Sequence, residues 1–145
     1  MPHTVARILE RKGSDVATVA PDISLSEAVR LLTHRGVGAL VVSHNDVAVL
    51  GILSERDVIH QLAERGAAVL DEPVSKHMSD ALTCDPSMTI DVLSALMTEQ
   101  RIRHLPVMSS GRLAGIVSIG DVVKTRLDEL METSQHLEAY VTGRY

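Results

Sequence analysis

One eight-residue pattern occurs twice in this chain, first as Gly51-Ile52-Leu53-Ser54-Glu55-Arg56-Asp57-Val58 and, 64 residues later, as Gly115-Ile116-Val117-Ser118-Ile119-Gly120-Asp121-Val122. Both copies carry glycine, serine and aspartate at the same spacing among apolar residues. Self-similarity at a fixed distance is typical of a repeated structural unit. Because there are only two copies, the pattern indicates a duplicated domain rather than a solenoid.

The similarity extends upstream of this pattern. Pro21-Asp22-Ile23-Ser24 corresponds to Pro86-Ser87-Met88-Thr89, and Val37–Val42 corresponds to Ile102–Val107, both 65 residues apart. The one-residue difference in spacing falls in a turn, where a change of length costs little. We therefore predict three segments: residues 1–72 as the first repeat with an N-terminal segment, 73–130 as the second repeat, and 131–145 as a C-terminal helical extension.

Each repeat predicts the same order of elements, β-α-β-β-α, which makes the fold class mixed α/β (α+β). The first helix of repeat one is marked by the capping box Ser24-Leu25-Ser26-Glu27. Its counterpart in repeat two has an apolar face at helical spacing. The strands are expected at Val16–Val19, Ala39–Val42 and Val47–Leu53 in repeat one, and near Leu82-Thr83 and at Leu105–Met108 and Leu113–Val117 in repeat two.

The last helix of repeat two is predicted to be longer than its counterpart. It begins near Ile119 and continues past Asp121 with a long apolar stripe. This helix is interpreted as a packing or dimer element. The stripe consists of Val122, Val123, Leu127, Leu130, Met131 and Leu137.

Composition excludes several classes of function. The 145 residues are 45% apolar and 23% charged, which is typical of a globular protein, and the net charge of −5 disfavours binding to duplex DNA. The chain has no Phe or Trp and only two Tyr, so it lacks stacking platforms for single-stranded nucleic acid. No apolar run is long enough for a membrane helix, and no secretory signal is recognisable. The single cysteine, Cys84, favours a reducing, cytoplasmic location.

The repeated Gly-x-x-Ser-x-x-Asp pattern has a specific chemical use. Glycine lets the backbone approach a ligand, and a serine hydroxyl both donates and accepts hydrogen bonds. An aspartate one helical turn later can accept two hydrogen bonds side by side, which suits the vicinal hydroxyls of a ribose. The same Ser-x-x-Asp spacing is also typical of an ordinary helix N-cap. Its recurrence at the same place in both repeats favours a binding role.

These residues resemble a tandem CBS-domain pair, also called a Bateman module. The resemblance covers Gly13 to Leu127 and rests on both copies of the pattern together with the Ile102–Val107 stretch. It implies that the two repeats pack by their sheets about a pseudo-twofold axis and leave two clefts. It further implies dimers and adenosine ligands such as AMP, ADP, ATP, NAD(H) or S-adenosylmethionine.

Carried over by position, the resemblance assigns a role to each candidate residue. Ser54 and Asp57 would hold ribose in one cleft, and Ser118 and Asp121 in the other. Adenine would lie near Thr18 and Thr83, with Ile102 and Pro106 as apolar walls, and phosphate near Arg56, Arg103 and His104. We hypothesise that Arg56 and Arg103 act on one central, phosphate-rich region. Because the copies differ in sequence, the two clefts are not expected to be equivalent.

No catalytic motif accompanies this pattern, and we expect no enzyme activity and no catalytic cofactor. The seven histidines are scattered without metal-ligand spacing, so no metal site is expected. The leading hypothesis is an adenine-nucleotide-binding regulatory protein, sensing energy or redox state, that acts as a homodimer on an unidentified downstream protein. The alternatives are a dimerisation scaffold that binds no ligand and, less favoured, an NAD-dependent enzyme.

Overall fold

The computed structural model describes residues 3–143, in which helices and short strands alternate. Repeat one is preceded by a helix that the sequence analysis did not predict. Two short 3-10 helices, Ala67–Asp71 and Val74–Lys76, join the repeats. The elements are α1 (Val5–Lys12), β1 (Thr18–Val19), α2 (Leu25–Arg35), β2 (Ala39–Val42), β3 (Gly51–Ser54), α3 (Glu55–Arg65), α4 (Ile90–Gln100), β4 (His104–Ser109), β5 (Arg112–Ser118) and α5 (Ile119–Thr142).

Two small sheets confirm the predicted mixed α/β class. In the first sheet β1 pairs with β2 in parallel, and β2 pairs with β3 in antiparallel fashion. The second sheet contains β4 and β5, again antiparallel. The strand predicted near Leu82-Thr83 is wrong, because the first-strand position of repeat two is reduced to a single parallel bridge between Cys84 and Val107.

The hairpin of repeat one is shorter than predicted, because β3 begins at Gly51 rather than at Val47. Side chains in the turn form hydrogen bonds with backbone groups that would otherwise be available for pairing between the strands. The hydroxyl of Ser43 donates to the carbonyl of Ala48, and the Asn45 side-chain oxygen accepts from the backbone N–H groups of Val47 and Ala48. Such local side-chain hydrogen bonds compete with sheet pairing, so the strand starts only after the turn closes.

Helix starts follow the sequence signals. The hydroxyls of Ser54 and Ser118 each accept the backbone N–H three residues later, and the aspartate at that position accepts the serine N–H in return. Both are complete capping boxes. At α2 only half of the predicted capping box forms. The Ser24 side chain accepts the backbone N–H of Glu27, but the cap does not include the return bond from the Ser24 N–H to the Glu27 side chain.

The two cores exchange short segments across the predicted boundary at residues 72 and 73. The core of repeat two contains Val5 and Ile8 from α1, whereas Val74 belongs to the core of repeat one. The boundary itself stays a prediction, but each core includes residues from the other side of it: α1 completes the core of repeat two, and Val74 completes the core of repeat one. Within residues 3–143, no helix combines the length and apolar character required to cross a membrane.

Candidate functional site

A cleft of about 420 Å³ opens between the two repeats. One wall comes from the end of β3 and the start of α3. The other comes from the end of α4 and the start of β4, and the linker, which comprises residues 77–83 after the second 3-10 helix, completes the lining. The lining residues are Gly38, Ile52, Ser54, Glu55, Arg56, Asp57, Ser79, Asp80, Leu82, Gln100, Arg101, Ile102, Arg103 and His104.

The repeated motif of copy one lies at this cleft, where β3 passes into α3. Asp57 Oδ2 accepts the backbone N–H of Ser54 at 2.9 Å, and Ser54 Oγ accepts the N–H of Asp57 at 3.2 Å. The capping box therefore uses one oxygen of the carboxylate and fixes its position at the helix start. The carboxylate retains acceptor capacity for a ligand, so the capping role and the binding role are compatible.

Both motif glycines are required for packing in this structure, while their role in ligand approach stays a prediction. A Cβ on Gly51 would lie 2.8 Å from the carbonyl oxygen of Ser79 and 2.9 Å from Met78 Sδ. A Cβ on Gly115 would lie 2.5 Å from Leu9 Cδ2. In each repeat the glycine thus admits the segment that completes the core of that repeat.

His104, in repeat two, lies against Gly38 of repeat one. A Cβ at Gly38 would lie 3.2 Å from His104 Cε1 and 3.4 Å from Glu55 Oε1, so this glycine leaves room for the imidazole of the other repeat. Burial lowers the pKa of His104, and Lys12 and Arg103 act in the same direction, while Glu55 and Asp121 oppose them. The imidazole is therefore favoured in its neutral form.

This pKa predicts a pH dependence of stability. The unfolded chain binds a proton at His104 near the ordinary histidine pKa of about 6.5, but the folded chain binds it only at lower pH. Below about pH 6.5 the unfolded state therefore holds more protons than the folded state. The contribution of His104 to the free energy of unfolding is complete above this pH and is lost as the pH falls below it. We expect His104→Gln to gain stability relative to wild type between neutral pH and pH ~5. Urea unfolding across this range measures the difference, and a constant difference would contradict the assignment.

Three arginines line the cleft and are distributed over both of its walls. Arg56 follows Ser54 by two residues, and Arg101 and Arg103 flank Ile102 on the opposite wall. Arg101 ends α4 in the left-handed conformation, with φ of 55°, where α2 ends in a glycine. Acidic side chains also line the cleft, so its charge is mixed. This arrangement can receive a ligand that has hydroxyls at one end and phosphates at the other.

Part of this cleft was not predicted from the sequence. Arg101 adjoins the stretch already singled out, and its guanidinium could have been included for the same reason as Arg103. Ser79, Asp80 and Leu82 were missed as site residues because no repeated motif marks this stretch, in which only a strand near Leu82-Thr83 was expected. Their place at the site follows from the antiparallel bridge between Ser79 and Ile52.

The motif of copy two has a different environment. Asp121 Oδ2 accepts from Ser118 N at 2.8 Å, from Ser118 Oγ at 3.0 Å and from Lys12 Nζ at 2.8 Å. Burial alone raises the pKa of Asp121, but the Lys12 ammonium and the Ser118 donors outweigh it and hold the pKa below its usual range. Lys12, in α1, was not a sequence candidate, since no helix was predicted there.

The other candidates do not line the first cleft. Thr18 lies in β1, where its hydroxyl donates to Asp46. Thr83 is exposed one residue beyond Leu82. Pro106 is buried in β4, and its carbonyl accepts the N–H of Cys84 at 3.0 Å. Their binding roles stay predictions, as do those of the cleft residues. No three His, Cys, Asp or Glu side chains within residues 3–143 are grouped as a metal site.

Comparison with known proteins supplies a family. The CBS domain family matches residues 5–64 and 74–128. The crystal structure of the CBS-domain containing protein ATU1752 from Agrobacterium tumefaciens has 48% identity and a TM-score of 0.83, covering 87% of this chain and 95% of that one. The CBS domain-containing protein CBSX3, mitochondrial, of Arabidopsis thaliana is 32% identical over 98% of this chain and 73% of its own length.

A further solved structure contains a ligand. The CBS domain protein PAE2072 from Pyrobaculum aerophilum, complexed with AMP, has a TM-score of 0.73 and 24% identity, covering 81% of this chain and 88% of that one. At this identity the likeness shows a shared fold.

Proposed function

Since this chain belongs to the CBS domain family, we propose that it is a regulatory protein that binds an adenine nucleotide between its two repeats. The ligand class is AMP, ADP, ATP or NAD(H). Binding would shift the packing of the repeats, and another protein would respond to that change. We further propose that the chain works without catalysis, as a self-associating protein in the reducing cytoplasm.

The observation that carries this proposal is the first cleft. Asp57 stands at one end, held by its capping box, and the guanidinium of Arg103 stands on the opposite wall. The same cleft is also lined by Ile52, Leu82 and Ile102, which offer apolar surface to a flat ring. The AMP complex of the Pyrobaculum protein supports an adenosine ligand in a protein of this fold.

Thermal unfolding in the presence of candidate ligands tests the function. AMP, ADP, ATP, NADH, S-adenosylmethionine and, as a control, GMP are each added to the purified chain. A ligand present at 100 times its dissociation constant adds ~2.7 kcal/mol to the free energy of unfolding, which raises the melting temperature measurably. Stabilisation by one adenine nucleotide and not by GMP is the expected result. If no adenosine compound stabilises the chain, the scaffold hypothesis replaces this one.

Arg103→Ala tests the phosphate end of the cleft. The side chain is solvent-accessible, so we expect the affinity for AMP to fall about tenfold, a modest value for a charge-assisted hydrogen bond. Adenosine, which lacks the phosphate, should bind wild type and variant equally. Isothermal titration calorimetry measures both ligands. Arg35→Ala, at the end of α2, is the matched control, because that guanidinium pairs with Asp15 away from the cleft. Equal AMP affinity in wild type and Arg103→Ala would reject the role.

A further inference from the structure

The C-terminal helix α5 carries apolar side chains that its own chain leaves in solvent. Its inner face packs on repeat two through the buried residues Val122 and Thr125. The exposed part of α5 has seven large apolar or aromatic side chains with exposed fractions between 53% and 83%, of which Met131 and Tyr140 flank a stripe formed by the other five. These five are Val123, Leu127, Leu130, Leu137 and Val141.

These side chains follow a heptad pattern. Two series of residues seven apart alternate at spacings of four and three, which is the a/d pattern of a coiled coil. In the first series every member is apolar, and in the second a serine separates two apolar residues. The d positions are Val123, Leu130 and Leu137, and the a positions are Leu127, Ser134 and Val141. A single stripe of this kind fits one other helix with the same repeat.

The flanking charges favour an antiparallel partner. In an antiparallel pair centred near residue 132, Leu127 faces Leu137 of the second copy and Val123 faces Val141. This register places Lys124 beside Glu138 of the second copy. The twofold symmetry of the pair gives two such ion pairs in each dimer. A parallel pair would instead set Thr133 beside Glu138 and form no such ion pair. Within residues 3–143, neither Lys124 nor Glu138 has an ion pair.

The helix is already held in place to receive a partner. Arg11 of α1 bonds to Asp128, and Arg126 bonds to Asp91 of α4, so the first half of α5 is tied to the body. Short isolated helices are marginal in water, and a segment that is ordered beforehand loses less entropy on association. We propose that residues 123–141 of α5 form an antiparallel two-stranded coiled coil with the same helix of a second copy of this chain. The inference specifies the self-association proposed above and does not depend on nucleotide binding.

Sedimentation velocity of the full chain tests whether the a and d side chains of α5 form the dimer contact, called the seam. Wild type is expected to be a dimer. Leu137→Glu places a carboxylate in the apolar seam twice per dimer, and we expect it to raise the dimer dissociation constant at least about 100-fold. Gln135→Glu adds the same charge on the opposite side of the same turn and should leave the dimer intact. Both positions are exposed, so circular dichroism should show a folded chain in each variant.

Charge reversal tests the orientation. Lys124→Glu and Glu138→Lys each replace two attractive pairs with two repulsive ones, and each should weaken the dimer roughly tenfold. The double variant restores both pairs and should recover wild-type affinity. A monomeric wild type, a Leu137→Glu variant that remains dimeric, or a double variant no tighter than the singles would each overturn the proposal. Nucleotide binding, measured separately by thermal unfolding, distinguishes these outcomes from failure of the proposed function.

Discussion

Replacement of Gly51 by alanine is expected to lower the free energy of unfolding by about 2 to 3 kcal/mol, a typical cost of overpacking. The added methyl group would meet the carbonyl oxygen of Ser79, a backbone atom. That oxygen accepts the N–H of Ile52 at 2.9 Å, and Ser79 donates back to Ile52 at 2.9 Å. Alanine at position 51 therefore displaces the bridge that ties the linker to β3.

Gly115→Ala is the matched control. There the methyl group meets only the end of the Leu9 side chain, which can change rotamer, so we expect a loss of about 1 kcal/mol. Urea unfolding of both variants gives the comparison. If both variants lost the same free energy of unfolding, the contact with the Ser79 carbonyl would not account for the cost at Gly51.

The same substitution should affect the cleft. Ser79, Asp80 and Leu82 line it, and their position depends on the bridge to Ile52. We therefore expect Gly51→Ala to weaken nucleotide binding as well as stability, whereas Gly115→Ala should leave binding in the first cleft unchanged.

Asp57→Ala is expected to weaken adenine-nucleotide binding at least about 100-fold, since two charge-assisted hydrogen bonds to ribose are lost. The variant also loses the carboxylate half of the capping box at α3, which costs about 1 kcal/mol of stability. Calorimetric titration below the melting temperature separates these two effects.

Two controls sharpen this prediction. Asp121→Ala removes the corresponding capping box in repeat two and also the ion pair with Lys12, so its cost in stability should be at least as large, and Asp121 does not line the first cleft. Because Lys12 already bonds to Asp121, we expect the first cleft to be the tighter site and to survive in this variant. Glu64→Gln removes one negative charge from α3 at its far end and should change nothing. If Asp57→Ala binds as tightly as these controls, the carboxylate has only its capping role.

The repeated motif and the helix-start signals allowed the fold class to be predicted, whereas the roles of the candidate site residues stay predictions. Ser54 and Ser118 both begin helices, as their spacing to aspartate indicated. The predicted strand near Leu82-Thr83 failed because that segment makes only one bridge, which local propensity does not reveal. Helix α1 was missed because its stability comes from packing of Val5 and Ile8 in the core of repeat two.

The amino-acid order alone was sufficient for the duplication, the α-β-β-α order that both repeats share and the pairing of serine with aspartate, because these depend on contacts between near neighbours along the chain. Only the tertiary structure decided that the two aspartates differ. Lys12 reaches Asp121 from 109 residues away, and His104 of repeat two lies over Gly38 of repeat one. Such contacts depend on how the two repeats are placed in space, and residue spacing within either repeat carries no record of that placement.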